Sequence, residues 1–363
     1  VQAFLNPAVR RDAVFSGAFS SADYAAVNAF YDSQPSLTPT PLLEYPALAA
    51  ALGVGAVMVK DESHRFGLSA FKSLGARYAM NRLGRDALAK GVVCATAGNH
   101  GRAVARVARD LGVTCTVFVP AIAPDAPPEE RAIRRSRVEG IRADQAEVVD
   151  VPGTYEEAVE LAAAHGARTG ATVVSDTAWP GYEVIPHDIM AGYTRLFTEA
   201  SRQWRATPDA IIVQAGVGGL LCAAASWLAF EYGAARAFLI ACEPDGSACL
   251  LESARVGGPH RIPTSTNRTI MAGLRCAEPS HAAWPAVRDG VDAFVSIPDS
   301  FTLEAMERLA GHSGGPAIDA GPSGACGMGA LIALASEPVL RDVRDASRLE
   351  RSTRVLAIVT EGK

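Results

Sequence analysis

Gly91-Val92-Val93-Cys94-Ala95-Thr96-Ala97-Gly98-Asn99-His100-Gly101 is the stretch from which the fold is read. Its first half is a short apolar run rich in β-branched residues, the pattern of a buried strand. A Gly/Asn/His turn follows, and Ala103-Val104-Ala105-Arg106-Val107-Ala108-Arg109 then repeats apolar residues at helical spacing. Cys115-Thr116-Val117-Phe118-Val119 starts the cycle again, and Pro120 closes it. Further along, Thr154-Tyr155-Glu156-Glu157 has the form of a capping box, which predicts a helix running toward His165. Thr172-Val173-Val174-Ser175 predicts another strand, and Ile211-Ile212-Val213-Gln214 leads through a glycine turn into an apolar helix from Leu220 to Phe230. Arg354-Val355-Leu356-Ala357-Ile358-Val359 closes the series. Alternation of this kind predicts an α/β protein of mainly parallel sheets with helices on both faces.

The bulk properties agree with that class. The chain has 363 residues, 49% of them apolar and 20% charged, enough for two ordinary domains with a large buried core. A net charge of −5 supplies no basic field for nucleic acid. Apolar runs such as Ala210 to Val213 and Phe238 to Cys242 are only strand-length, which argues against a membrane span. The opening Val1-Gln2-Ala3-Phe4-Leu5-Asn6-Pro7 lacks the basic-then-apolar layout of a signal peptide, so no leader is expected. The seven cysteines include no C-x-x-C pair, which argues against a disulfide framework or a zinc site and for the reducing cytoplasm. Most of them lie in apolar runs and read as core. The histidines are scattered without ligand spacing, so no metal is expected. Arg131 to Arg142 reads as a solvated helix face, and Ala121 to Glu130, Gly257 to Thr269 and Gly311 to Gly315 read as connections.

Three stretches carry chemistry. Lys72 follows Phe71 and precedes Leu74 in an apolar, small-residue segment. Such surroundings disfavour the ammonium and make an amine a usable nucleophile toward an aldehyde, although a lysine snorkelling to water fits the local pattern equally. Thr96-Ala97-Gly98-Asn99-His100-Gly101 stands between a strand and a helix, where backbone N–H groups bind anions and Asn99 adds an amide; a plain capping turn is the simpler alternative. Gln214-Ala215-Gly216-Val217-Gly218-Gly219-Leu220 is a candidate phosphate cradle. No Gly-Lys-Ser/Thr follows it, and Cys222 and Ala223 stand where a dinucleotide loop would place its final glycine. A lysine, an anion-binding loop and a phosphate cup together form the minimum equipment for pyridoxal 5'-phosphate.

With these residues in place the chain resembles the tryptophan-synthase-β class of pyridoxal-phosphate enzymes, fold type II. Within that class it resembles the diaminopropionate ammonia-lyases. The resemblance rests on Lys60-Asp61-Glu62-Ser63, Arg65-Phe66-Gly67-Leu68, Ala70-Phe71-Lys72, Gly98-Asn99-His100-Gly101-Arg102, Asp176-Thr177-Ala178-Trp179-Pro180-Gly181-Tyr182, Gln214-Ala215-Gly216-Val217-Gly218, Ile270-Met271-Ala272-Gly273-Leu274 and Thr360-Glu361-Gly362. It implies two open, mostly parallel sheets flanked by helices, with a smaller domain (79–191) inserted in a large cofactor-binding domain (1–78 and 192–363). It also implies a homodimer that performs α,β-elimination on an amino acid such as L-2,3-diaminopropionate. A β-replacement synthase, or a deaminase of another β-substituted amino acid, is the alternative within the class.

The resemblance further implies roles for single residues. Lys72 would carry the cofactor; Gly216, Val217, Gly218, Gly219 and Leu220 would hold its phosphate, and Asn99 would meet the ring hydroxyl. Thr360 would partner the pyridine nitrogen, with Ser323 as a second candidate. Thr96, Ala97, Gly98 and His100 would grip the substrate carboxylate. Asp176 would remove the α proton of the L-isomer, for which burial against Trp179 and Tyr182 is expected to raise its proton affinity. Two positions depart from the family pattern. Ala97 stands where the family has the aspartate that acts on the D-isomer, so weak or absent D-turnover is expected, and Pro322 replaces a glutamate common in the family.

Overall fold

The computed structural model describes residues 1–12, 15, 17–96, 98–122, 128–263, 267–312 and 314–363. The chain divides into two units: Val1–Phe71 with Tyr193–Lys363, and Lys72–Gly192. The sequence reading drew these boundaries after residues 78 and 191. The first boundary falls at the start of the helix Lys72–Leu88, whose break comes later, at Gly84 (φ 76°).

The first unit is built on β1 (Gln2–Leu5), β2 (Leu42–Glu44), β3 (Ala56–Asp61), β8 (Ala210–Gln214), β9 (Phe238–Pro244), β10 (Ala293–Ile297) and β11 (Arg354–Val359). Among the described residues they form a seven-stranded sheet in the order β1-β10-β9-β8-β11-β3-β2. The five central strands are parallel, while β1 and β2 pair antiparallel at the two edges. Ala210, Ile211, Ile212 and Val213 are fully buried, which is why β8 reads as an unbroken apolar run rather than an alternation. The helix Pro322–Ser336 is apolar on nearly every side because it too is buried. Among the described residues no single helix is long and apolar enough to cross a membrane.

The second unit carries β4 (Val92–Ala95), β5 (Cys115–Pro120), β6 (Glu147–Val151) and β7 (Thr172–Val173), all parallel, in the order β6-β5-β4-β7. Its helix Tyr155–Thr169 starts at the predicted capping box: Thr154 Oγ1 accepts from Glu157 N at 3.2 Å, and Glu157 Oε2 accepts from Thr154 N at 2.6 Å. The strand expected over 172–175 is only two residues long, because Ser175 turns away to bond with Tyr182. The segment Arg131 to Arg142 lies on the helix Pro128–Ala143 and buries Val138 and Ile141.

A buried ion cluster holds the segment leading to Lys72 in the first unit. Arg65 donates to Glu62 Oε2 at 2.7 Å, to Glu62 Oε1 at 2.6 Å and to Glu199 at 2.7 and 3.1 Å. Thr40 Oγ1 donates to Glu62 Oε1 at 2.6 Å, Lys60 Nζ reaches Glu199 at 3.4 Å, and Arg195 Nε donates to Glu199 at 3.1 Å. Burial pushes the Glu62 carboxyl up, but Arg65 and Lys60 hold it below its ordinary value. Next to Arg65, Phe66 sits at φ 52°, a left-handed conformation unusual for an aromatic residue, and its ring stacks on Tyr31. Past this turn the chain pairs with the end of β11. Phe71 N donates to Thr360 O at 3.1 Å, and Gly362 N donates to Ser69 O at 2.8 Å. The residue just before Lys72 is therefore fixed by backbone bonds.

Removing one member of a buried charge cluster strands the others. Glu199→Gln is expected to lower the unfolding free energy by about 3 kcal/mol or more, read from urea denaturation at neutral pH. A loss below about 1 kcal/mol would show that the cluster does not hold the segment.

Candidate active site

In the second unit, Lys72 opens the helix Lys72–Leu88, and its Nζ lies 2.5 Å from Asp176 Oδ2. Both side chains are largely withdrawn from water, at 24% and 16% exposure. Asp176 sits just beyond β7, where the Tyr182 hydroxyl accepts from Ser175 N and donates to Val173 O, each at 2.9 Å. Trp179 stacks on Tyr182 with ring centroids 4.1 Å apart. His100 is buried, and its Nε2 lies 2.9 Å from Val174 O, which can only accept, so this nitrogen carries the proton. Its Nδ1 lies 3.8 Å from Asp176 Oδ2 with no hydrogen-bond partner among the described residues.

These neighbours settle the state of the carboxyl. Burial pushes Asp176 up, but His100 and Lys72 attract a negative charge and Lys72 also donates a hydrogen bond, so the carboxyl ends well below its ordinary range. The sequence reading expected the aromatic walls to raise it. The walls are there, and His100 together with the Lys72 ammonium outweighs them in the cofactor-free protein.

Thr96, Gly98 and Asn99 follow β4. Thr96 Oγ1 accepts from Gly98 N at 2.9 Å, and Gly98 caps the helix Asn99–Leu111 without a side chain, leaving its opening amides turned to the loop. Ala97 lies outside the described residues.

In the first unit, Gly216 to Leu220 link β8 to the helix Gly219–Tyr232. A Cβ on Gly216 would stand 2.9 Å from Cys276 Sγ, closer than side chains pack. Gly218 caps the helix at φ 100°, a left-handed conformation that disfavours any other residue. The glycines thus answer two separate demands, and the result is a bare helix N-terminus with its positive end unshielded by a side chain. Thr360 and Ser323 are buried near each other: Thr360 Oγ1 is 3.5 Å from Ser323 O, and Ser323 Oγ accepts from Gly273 N at 2.9 Å. The sequence reading passed over Gln214, whose amide Nε2 donates to Thr360 Oγ1 at 3.0 Å. A polar residue closing the apolar strand β8 was the available signal.

The comparisons with known proteins place this arrangement. The family described as pyridoxal-phosphate dependent enzyme matches residues 34–361. The chain is 35% identical to the diaminopropionate ammonia-lyase of Salmonella typhimurium over 93% of its own length and 88% of that protein's. It is 34% identical to that of Escherichia coli K12, over 95% and 89%. The E. coli diaminopropionate ammonia lyase solved with an aminoacrylate-PLP azomethine reaction intermediate superposes with a TM-score of 0.88 at 33% identity, covering 100% of this chain and 94% of that one. The chain belongs to the pyridoxal-phosphate-dependent enzymes and has their fold type II architecture. Within that class it belongs to the diaminopropionate ammonia-lyase family.

Because its folded value is depressed, the Asp176 carboxyl adds stability above its ordinary value of 3.8 and loses that contribution as pH falls through the lower folded value. In cofactor-free protein, Asp176→Asn is expected to cost about 2 kcal/mol at pH 7, and this gap should narrow once pH drops below 3.8. Urea unfolding across that range checks the sign; a gap that widens toward acid would contradict it.

Proposed function

We propose that the protein catalyses pyridoxal-phosphate-dependent α,β-elimination of L-2,3-diaminopropionate, releasing pyruvate and ammonia. The observation that carries the proposal is the Lys72–Asp176 pair at 2.5 Å, an amine and an acid in one largely dry place. Family membership supplies the reaction class, since the curated relatives are diaminopropionate ammonia-lyases.

The residues present suit the cofactor. The uncapped amides behind Gly218 would take its phosphate through Gly216, Val217, Gly218, Gly219 and Leu220. Lys72 would hold its aldehyde carbon, Asn99 would meet the ring hydroxyl, and Thr360, or Ser323 as the second candidate, would face the ring nitrogen. When bound, the cofactor supplies an electron-withdrawing ring that stores the electron pair left when the α proton departs.

The chain's own groups manage the protons. Asp176 Oδ2 accepts the α proton of the L-substrate. Burial raises the proton affinity of the Asp176 carboxylate while His100 and the Lys72 ammonium lower it, so the carboxylate is the stronger base whenever the Lys72 amine is uncharged. The Lys72 ammonium, once free again, is the donor that protonates the departing amine. Thr96, Gly98 and the backbone amide of His100 would hold the substrate carboxylate beside the opening amides of the helix Asn99–Leu111, the His100 ring being committed to Val174 O.

Ala97 cannot take a proton, so the D-isomer finds no base on that side. The family resemblance further supports a homodimer. Six of the seven cysteines are buried and all are free, which supports a cytoplasmic setting.

Purified holoenzyme incubated with L-2,3-diaminopropionate should release pyruvate and ammonia, and Lys72→Ala should abolish both. Accumulation of a new amino acid when thiols are added would instead identify a β-replacement synthase. The D-isomer should show kcat/KM lower by about 100-fold or more, the usual weight of a positioned base. Ala97→Asp should recover much of that loss. Equal rates on both isomers in the unaltered protein would overturn the stereochemical part of the proposal.

A further inference from the structure

The Gln214 amide is buried at 2% exposure and meets an unusual set of neighbours, all within the first unit. Its Nε2 lies 3.2 Å from Ser323 O, 2.8 Å from Gly324 O, 2.9 Å from Ile358 O and 3.0 Å from Thr360 Oγ1. Three of these are backbone carbonyls, which only accept. Turning the amide over would set Oε1 against three like dipoles, so chemistry alone fixes the nitrogen on this side. The opposite atom, Oε1, is buried without a partner among the described residues, beside Gly327, where a Cβ would come within 2.9 Å of it. The amide therefore has one orientation and no means of exchanging it.

The consequence falls on Thr360. The amide has two protons for four neighbours, but its nitrogen cannot accept, so whichever of them take those protons the Thr360 hydroxyl cannot donate to Gln214 and its own proton points elsewhere. The other contact of that hydroxyl, to Ser323 O, is 3.5 Å long and too weak to claim the proton. The side chain at position 360 is thus held as a donor.

We propose that Gln214 is a positioning residue that sets the polarity of the Thr360 hydroxyl, so that position 360 presents a proton to the cofactor's pyridine nitrogen and keeps that nitrogen unprotonated. The proposal rests on the reading of Thr360 as the ring-nitrogen partner. Without Gln214, Ser323 O, Gly324 O and Ile358 O lose their shared donor. The Thr360 hydroxyl then turns its proton toward them and offers a lone pair to the ring, which favours the pyridinium form. This is a difference in charge state at one atom, which loss of packing alone would not produce.

The test uses holoenzyme reconstituted with pyridoxal phosphate labelled with nitrogen-15 in the ring, together with the dissociation constant of the cofactor from each apoprotein. In the unaltered protein the ring resonance should lie in the unprotonated range. In Gln214→Leu it should move toward the pyridinium value, and the cofactor should bind about fivefold more weakly, the weight of one neutral hydrogen bond. In Thr360→Val, adding Gln214→Leu should change neither the resonance nor the affinity further. Thermal unfolding of the apoproteins establishes that each variant folds. Gln214→Glu, which keeps the shape and offers one O–H in place of two N–H donors, takes the place of the leucine variant if that one does not fold. If Thr360→Val leaves the resonance and the affinity unchanged, the reading of Thr360 fails. If Thr360→Val shifts them while the Gln214 variants leave the resonance in place, or if the two substitutions multiply in the double variant, the proposal for Gln214 is overturned.

Discussion

A primary amine and a carboxylate 2.5 Å apart, both shielded from most of the solvent, are the interaction on which the rest of this site depends. In the cofactor-free protein His100 and the Lys72 ammonium keep the Asp176 carboxyl ionised. That dependence gives the pair its chemical use, because spending one partner changes the other. An isolated lysine at a helix start would be an ordinary surface cation, and an isolated Asp176 among aromatic rings would hold its proton. Together they set an amine beside a carboxylate whose proton affinity that amine lowers.

Such a pair is only useful if the backbone carrying it does not drift. Two devices fix the approach to Lys72. The buried cluster around Arg65 and Glu199 clamps the loop before it, and the left-handed turn at Phe66 is tolerated because that cluster over-determines the path. The Ser69 to Phe71 segment then runs beside Thr360 and Gly362, tied by backbone bonds. The residue before Lys72 and the proposed ring partner are therefore held by the same short stretch of pairing, so a shift in one would move the other.

Much of this was legible in the sequence, for identifiable reasons. Parallel strands buried on both faces show as unbroken apolar runs, and Ala210 to Val213 and Val92 to Ala95 appeared where they were expected. The capping box at Thr154 is a local signal and was read correctly. The glycines at 216 and 218 mark a turn before a helix, and the structure gives each its own reason. What escaped notice depends on distant partners. The edge strands β1 and β2 are short and half-exposed, so no periodicity announces them. Glu199 meets Arg65 across 134 positions, and Gln214 meets Thr360 across 146. The state of Asp176 departs from expectation for the same reason: its aromatic neighbours are close in sequence, whereas His100 and Lys72, which outweigh them, stand 76 and 104 residues away.

The central claim is that the amine at position 72 is the group that binds the aldehyde of the cofactor. Reducing the resting holoenzyme with borohydride and mapping its peptides tests this most directly. The account predicts a stable pyridoxyl adduct on Lys72, and none anywhere in the Lys72→Ala protein. A label on another lysine, or protein that remains colourless and unlabelled after incubation with pyridoxal phosphate, would contradict it.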